Sequence, residues 1–391
     1  MAALPSIGSA ADLDGLPPVP ATTATQAFLE ARVEQDPLDY LAHNRLVHAY
    51  IQGLRQSGGL AFLEKARVHA NASLAAVPAE RNPNGLTALA LVQFESHDFA
   101  AAVQSADRAW SIDSRDTTAL AIAGDSQLEL GHYELAGEIY DKLARDGLSP
   151  PILARQARLA EMKGDDAAAL TLLETAGNVE PWYRLRRGEI HFRHGRLIEA
   201  EAEYVGAPET FAQLEHLAEL RAAQERTEEA VLLYKRALKK AARAEVFQAL
   251  GDLYAFTGNS SEAHIWWKRA LAGYLESVAQ GSAHYFHHLA GYYSDCEQNP
   301  AEALRWARRD IAVRTSSYAY DTLAWALYKN GEFAAAADAM TKALASGIQD
   351  PHILAHAGLI YARAGDLQKG RALLQQVAVI DPAYDRFHAH R

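Results

Sequence analysis

Apolar residues recur at i, i+3, i+4 and i+7 almost throughout the chain, and alternating β-branched runs joined by Asn-Gly turns cannot be found. A spacing near 3.6 residues gives each segment one apolar stripe, so the pattern predicts an all-α protein. At 391 residues the chain exceeds one ordinary globular core, which for a helical sequence points to a repeat array. Three segments align without gaps: "TTALAIAGDSQLELGHYELAGEIYDKLARD" from Thr117, "SYAYDTLAWALYKNGEFAAAADAMTKALAS" from Ser317 and "PHILAHAGLIYARAGDLQKGRALLQQVAVIDP" from Pro351. Each has a small residue at its eighth position (Gly124, Ala324, Gly358) and a glycine at its fifteenth (Gly131, Gly331, Gly365). An aromatic or leucine follows at the seventeenth (Tyr133, Phe333, Leu367) and a small residue at the twentieth (Ala136, Ala336, Gly370).

Small residues at positions 8 and 20 let the two helices of a repeat approach closely, and bulky ones at positions 4, 17 and 24 fill the spaces around them. The glycine at position 15 supplies the left-handed residue that ends the first helix. The signature resembles the tetratricopeptide repeat (TPR) family, down to the closing Asp381-Pro382. Extending the register gives repeat starts near Pro83, Thr117, Pro150, Pro181, Phe211, Ala244, His284, Ser317 and Pro351, with one long step before His284. The resemblance implies an all-α fold, an α-solenoid wound as a right-handed superhelix of about nine to ten TPR-like helix-turn-helix repeats. The expected layout is a flexible N-terminal arm over residues 1–21, a solenoid over 22–382 and a C-terminal tail over 383–391. Within the solenoid, residues 22–80 read as degenerate capping helices and residues 83–382 as the repeats.

Composition narrows the function. Lys+Arg 38 against Asp+Glu 49 gives a formal charge of −11 with no basic run, which disfavours nucleic acid and anionic membranes as partners. The single cysteine, Cys296, excludes an internal disulfide and a cysteine-rich zinc module. No run of about 18 apolar residues exists, so no membrane span is expected. The opening residues lack a basic segment followed by an apolar one, so a cytoplasmic location is expected; a periplasmic or exported one is the alternative if a signal was removed.

In TPR proteins the first helices line a concave side where partners lie, and the resemblance implies inward positions near 2, 5, 9 and 12 of each repeat. The stretch "HYFHHLAGYYSD" then offers Tyr285, His288, Tyr292 and Asp295, and the next repeat adds Tyr318, Asp321 and Trp325. Gln248 and Asp252 extend this patch from the repeat before. Large aromatics with polar tips on an exposed concave surface have the composition of binding hot spots. The acidic inward residues Asp125, Glu189, Glu219, Asp252, Asp295 and Asp321 favour a basic or aromatic-bearing peptide. No repeat pairs lysine with asparagine at the inward positions, so the carboxylate clamp known in this family is not expected.

His284 and His288 stand at i, i+4 with Asp295 beyond, a weak metal pattern that lacks the glutamate of "HExxH"; no metal ligand is assigned. His388 and His390 of the tail are two apart and belong to a terminus expected to fray. Phosphate-loop, dinucleotide and "GxSxG" motifs are missing, and Cys296 reads as a small residue at a helix end. The expected function is a non-catalytic scaffold, without cofactor, that binds a protein or peptide segment in its concave groove. The alternative is a small-molecule- or metal-binding solenoid using the His/Tyr/Asp cluster at 284–325.

Overall fold

The computed structural model describes residues 24–57 and 59–389, so the arm expected over residues 1–21 lies outside it. Among the described residues the chain is helical and forms no strand. After a first helix, Ala24–Gln35, helices follow in antiparallel pairs. They are Tyr40–Ser57 with Leu60–Ala76, Pro83–Glu95 with Phe99–Ile112, Thr117–Glu129 with Tyr133–Leu143, and Pro150–Met162 with Asp166–Ala176. Next come Pro181–Arg193 with Leu197–Val205, Phe211–Ala223 with Thr227–Lys240, and Ala244–Phe256 with the long Ser260–Ala279. Phe286–Gly291, prolonged by the π-helical Tyr292–Cys296, pairs with Pro300–Ile311; Ser317–Lys329 with Phe333–Ala343 and Pro351–Arg363 with Leu367–Ile380 complete the array.

Local chemistry sets these starts. Asp350 accepts from the backbone N–H groups of His352 and Ile353 at 2.9 and 3.3 Å, and Pro351 follows at the first helical position, where its missing N–H costs nothing. Asn299 and Pro300 repeat the device. Within a pair, the small residue at position 8 makes room for the ring at position 24: a Cβ on Gly124 would lie 2.7 Å from Tyr140, and one on Gly251 would lie 2.4 Å from Trp267. Those rings are the bulk between the helices, and Tyr140, Tyr204 and Tyr234 are fully buried.

The superhelix is wound tightly enough for successive coils to touch. The Pro83 repeat meets residues just before Phe286 through His97 and His284, whose ring nitrogens are 3.0 Å apart. The Thr117 repeat meets the start of the Ser317 repeat, where Thr315 donates its hydroxyl to the Leu130 carbonyl at 2.6 Å and Ser317 N–H donates to the Tyr133 hydroxyl at 2.8 Å. The Pro150 repeat meets the Pro351 repeat, and the Pro181 repeat meets Asp381–Ala383. The repeats from Pro83 to Pro181 therefore each touch the part of the chain six places on. Two position-15 glycines permit it: Gly131 (φ +75°) and Gly164 (φ +79°) hold left-handed turns, and a Cβ there would fall 2.4 Å from Thr315 O and 2.2 Å from Gly347 O. The concave side is consequently a lumen narrowed by contacts between coils.

The stretch 284–295 departs from the expected register. Its helix begins at Phe286, two residues later than expected, because residues 280–285 turn the chain out of the 20-residue helix Ser260–Ala279. Tyr285 and Tyr292 therefore pack inward among neighbouring helices, and His287 takes the lumen position that the periodicity gave to Tyr285. The π-turn closes with Glu297 N–H on Tyr292 O at 3.1 Å, an i to i+5 bond. The added residue per turn rephases the helix so that Asp295 faces the lumen again.

Candidate functional site in the lumen

The lumen holds a cavity of about 900 Å³. First helices of the Thr117, Pro150, Pro181, Ala244, Phe286, Ser317 and Pro351 repeats line it, together with Trp267 and the tail from Tyr384 to His388. Of the residues expected from sequence, His288, Asp295, Tyr318, Asp321, Trp325, Asp252 and Gln248 line this cavity. Tyr285 and Tyr292 do not: they are 7% and 3% exposed, with the Tyr285 hydroxyl donating to Glu245 at 2.7 Å and the Tyr292 ring packed edge-on to Tyr293. Both are corrections to the expected patch, and both follow from the shifted helix start.

The inward acids are already engaged. Asp125 accepts from Arg155 at 2.8 Å and from the Tyr140 hydroxyl at 3.0 Å. Glu189 pairs with Arg186 at 2.5 Å. Asp252 accepts the Trp267 indole N–H at 2.7 Å, and Asp295 accepts that of Trp325 at 3.0 Å while pairing with Lys329 at 2.8 Å. Asp321, 5% exposed, faces the His356 ring nitrogen at 3.0 Å. The expectation of open acids awaiting a basic partner therefore gives way to acids with internal partners.

One wall is a charge relay. Glu161 receives both Arg186 and Arg193, the latter at 2.6 Å, and Arg193 reaches across the coils to Asp350 at 3.0 Å. Burial alone would raise the Asp350 carboxyl, but Arg193, His352 and the helix N–H groups hold it well below the usual carboxylate range. Burial likewise works against the Glu189 carboxylate, and Arg186 overrides it to hold the group at about 2. At Glu215 burial wins instead: burial, then the charge of Glu245, push it up to about 8 against the opposing pull of Arg243, with Glu219 and Glu189 adding to the rise.

The facing wall is aromatic and imidazole-rich. Trp325 stacks on His356 with ring centroids 3.9 Å apart and planes 10° from parallel, and on Tyr328 at 5.0 Å. His352 lies 4.1 Å from His356, and His288 stacks on Tyr274 at 5.3 Å. Cys296 is near Gln248 and Asp252, and burial first, then Asp252, drives its thiol far up, toward the protonated form.

Sequence reasoning passed over His352 and His356, although "HILAH" carries them one helical turn apart. It also expected the tail to fray. Instead Phe387 is 3% exposed against Phe256. His388 sits on Phe192 and 2.8 Å from Glu219, and Ala389 N–H donates to the same carboxylate at 2.8 Å. His390 lies outside the described residues.

No family model matches the chain, and no curated protein does. Solved structures that overlay on it include the human IFIT1 dimer with PPP-AAAA, at 13% identity and TM-score 0.46 over 92% of this chain and 95% of that one. A tetratricopeptide repeat protein from Parabacteroides merdae overlays at 17% identity and TM-score 0.44, over 59% of this chain and 93% of that one. Pseudomonas aeruginosa pilF does so at 20% identity and TM-score 0.36, over 50% and 92%. These overlays are loose, and the assignment comes from the repeat itself: antiparallel helix pairs, a glycine turn at position 15, and a position-8 gap filled by a position-24 ring. The fold is a TPR-like α-solenoid. No described helix is long and apolar enough to cross a membrane.

Proposed function

We propose that this TPR-like solenoid is a binding scaffold whose lumen holds a protein or peptide segment bearing aromatic side chains and hydrogen-bond donors. The observation that carries the reading is the chain's own tail. Arg386-Phe387-His388 enters the lumen as turn and irregular chain and uses three kinds of contact that a foreign segment would use. Arg386 donates to the Ala223 carbonyl at 3.1 Å, Phe387 fills an aromatic slot, and His388 with the next backbone N–H converges on Glu219. The residual space of about 900 Å³ beside it is lined by Trp325, Tyr318 and His288, the residue types that dominate binding hot spots. Binding is favoured over turnover because the one thiol is held protonated and the buried acids of the lumen are mostly committed to internal partners.

The test is capture of partners by the full chain, quantified by mass spectrometry, against a Trp325→Ala plus His288→Ala variant whose helicity is checked by circular dichroism. Selective loss of one or more partners is expected. Equal recovery of every partner by both chains defeats the reading.

A further inference from the structure

We infer that Asp321, His352 and His356 form a binding site for one divalent transition-metal ion of the zinc type. The inference goes beyond the peptide reading and does not depend on it. The three residues come from adjacent first helices: Asp321 from Ser317–Lys329, and His352 and His356, one turn apart, from Pro351–Arg363. One ligand atom from each lies within 4.8 Å of the other two, and the Asp321 carboxylate is already 3.0 and 3.2 Å from a ring nitrogen of His356. Metal bonds of about 2.0–2.1 Å in a tetrahedral shell set neighbouring ligand atoms roughly 3.3 Å apart, so small side-chain rotations suffice to close the trio on a cation.

The surroundings fit a ligand set. Trp325 lies flat on the His356 ring and fixes its plane, as supporting contacts do around metal-bound imidazoles. Two other acids of the lumen, Asp295 and Asp350, are met by Lys329 and Arg193, whereas Asp321 is met by an imidazole that serves equally well as a neutral ligand. Two imidazoles and one carboxylate select zinc, cobalt, nickel or iron(II) over calcium and magnesium, which prefer all-oxygen shells. All three residues also line the cavity, so a cation held by them keeps at least one position open toward the lumen.

The test uses the full chain, stripped with chelator and dialysed against excess zinc and then metal-free buffer, with bound metal measured by elemental analysis. One zinc per chain is expected. The half-buried His352→Ala and the buried His356→Ala variants should each weaken binding by roughly tenfold or more, as loss of one ligand does. His388→Ala removes a lumen histidine outside the trio and should leave binding unchanged. Cobalt(II) gives a second readout: visible d–d absorption of low-coordinate geometry in the wild type, lost in His352→Ala, with circular dichroism confirming that the variant is folded. Absence of stoichiometric zinc, or zinc and cobalt signals that survive in folded His352→Ala, overturns the site.

Discussion

The two walls of the lumen are built from the same inward positions and do different work. On the Pro181 side, Arg186 and Arg193 are paired with Glu161, Glu189 and Asp350, and the network ties one coil of the superhelix to the next. On the Ser317 and Pro351 side, Trp325, His356, His352 and Asp321 contact one another through ring faces and a single carboxylate, and they border open space. An inward charge is therefore no sign of a ligand site by itself. What distinguishes the second wall is its ring faces and the open space that it borders.

The largest expected contrast comes from breaking the relay. Arg193→Ala would strand the buried Asp350 without its arginine and leave Glu161 with Arg186 alone, and loss of one partner of a buried ion pair costs about 3–5 kcal/mol. Denaturant unfolding should show a lower midpoint; an unchanged midpoint would mean that the charged wall does not hold the coils.

A smaller effect sharpens the same point at another contact between coils. Burial pushes both His97 and His284 down, His284 to about 4, against an ordinary imidazole value near 6.5. The folded state thus resists protonation while the unfolded chain accepts it. The stability this contact contributes is present above about pH 6.5 and declines as pH falls toward 4, by at most about 1.4 kcal/mol per unit for each group. Melting temperature measured across that window should fall toward acid, and a His97→Asn plus His284→Asn variant should show a shallower slope. An identical slope would remove the pair from the account.

The smallest effect on the fold belongs to the aromatic wall. Trp325→Ala takes away one half-buried ring and should cost about 1–2 kcal/mol, less than a fully buried aromatic and less than Arg193→Ala. A loss that equals or exceeds that of Arg193→Ala, measured by the same unfolding series, would erase the distinction between the walls.

Local signals made much of the architecture legible in the sequence. Helices begin at Pro83, Thr117, Pro150, Pro181, Phe211, Ala244, Ser317 and Pro351, where proline, a capping acid or the repeat register had put them. At 284–295 the register failed, because a long preceding helix and a π-turn change the phase without altering the apolar spacing enough to betray it. That cost Tyr285 and Tyr292 their places, while Trp325 and Asp321 kept theirs because Ser317–Lys329 is a regular helix. Contacts between coils were invisible for a different reason. Repeat periodicity fixes how neighbours stack, but pitch accumulates from small rotations over six repeats, and no single residue encodes it. The seat of the tail and the meeting of Arg193 with Asp350 both depend on that pitch.

Winding at six repeats per coil has a further consequence for how this chain tolerates change. Open solenoids gain or lose modules freely because each unit leans only on its neighbours, but here Tyr133 is bonded to Ser317 across 184 residues. Excising one module would slide every later one past its counterpart and bring Gly131 and Gly164 opposite the wrong loops. Length in this molecule is therefore locked, and its two ends should melt together and not fray one module at a time.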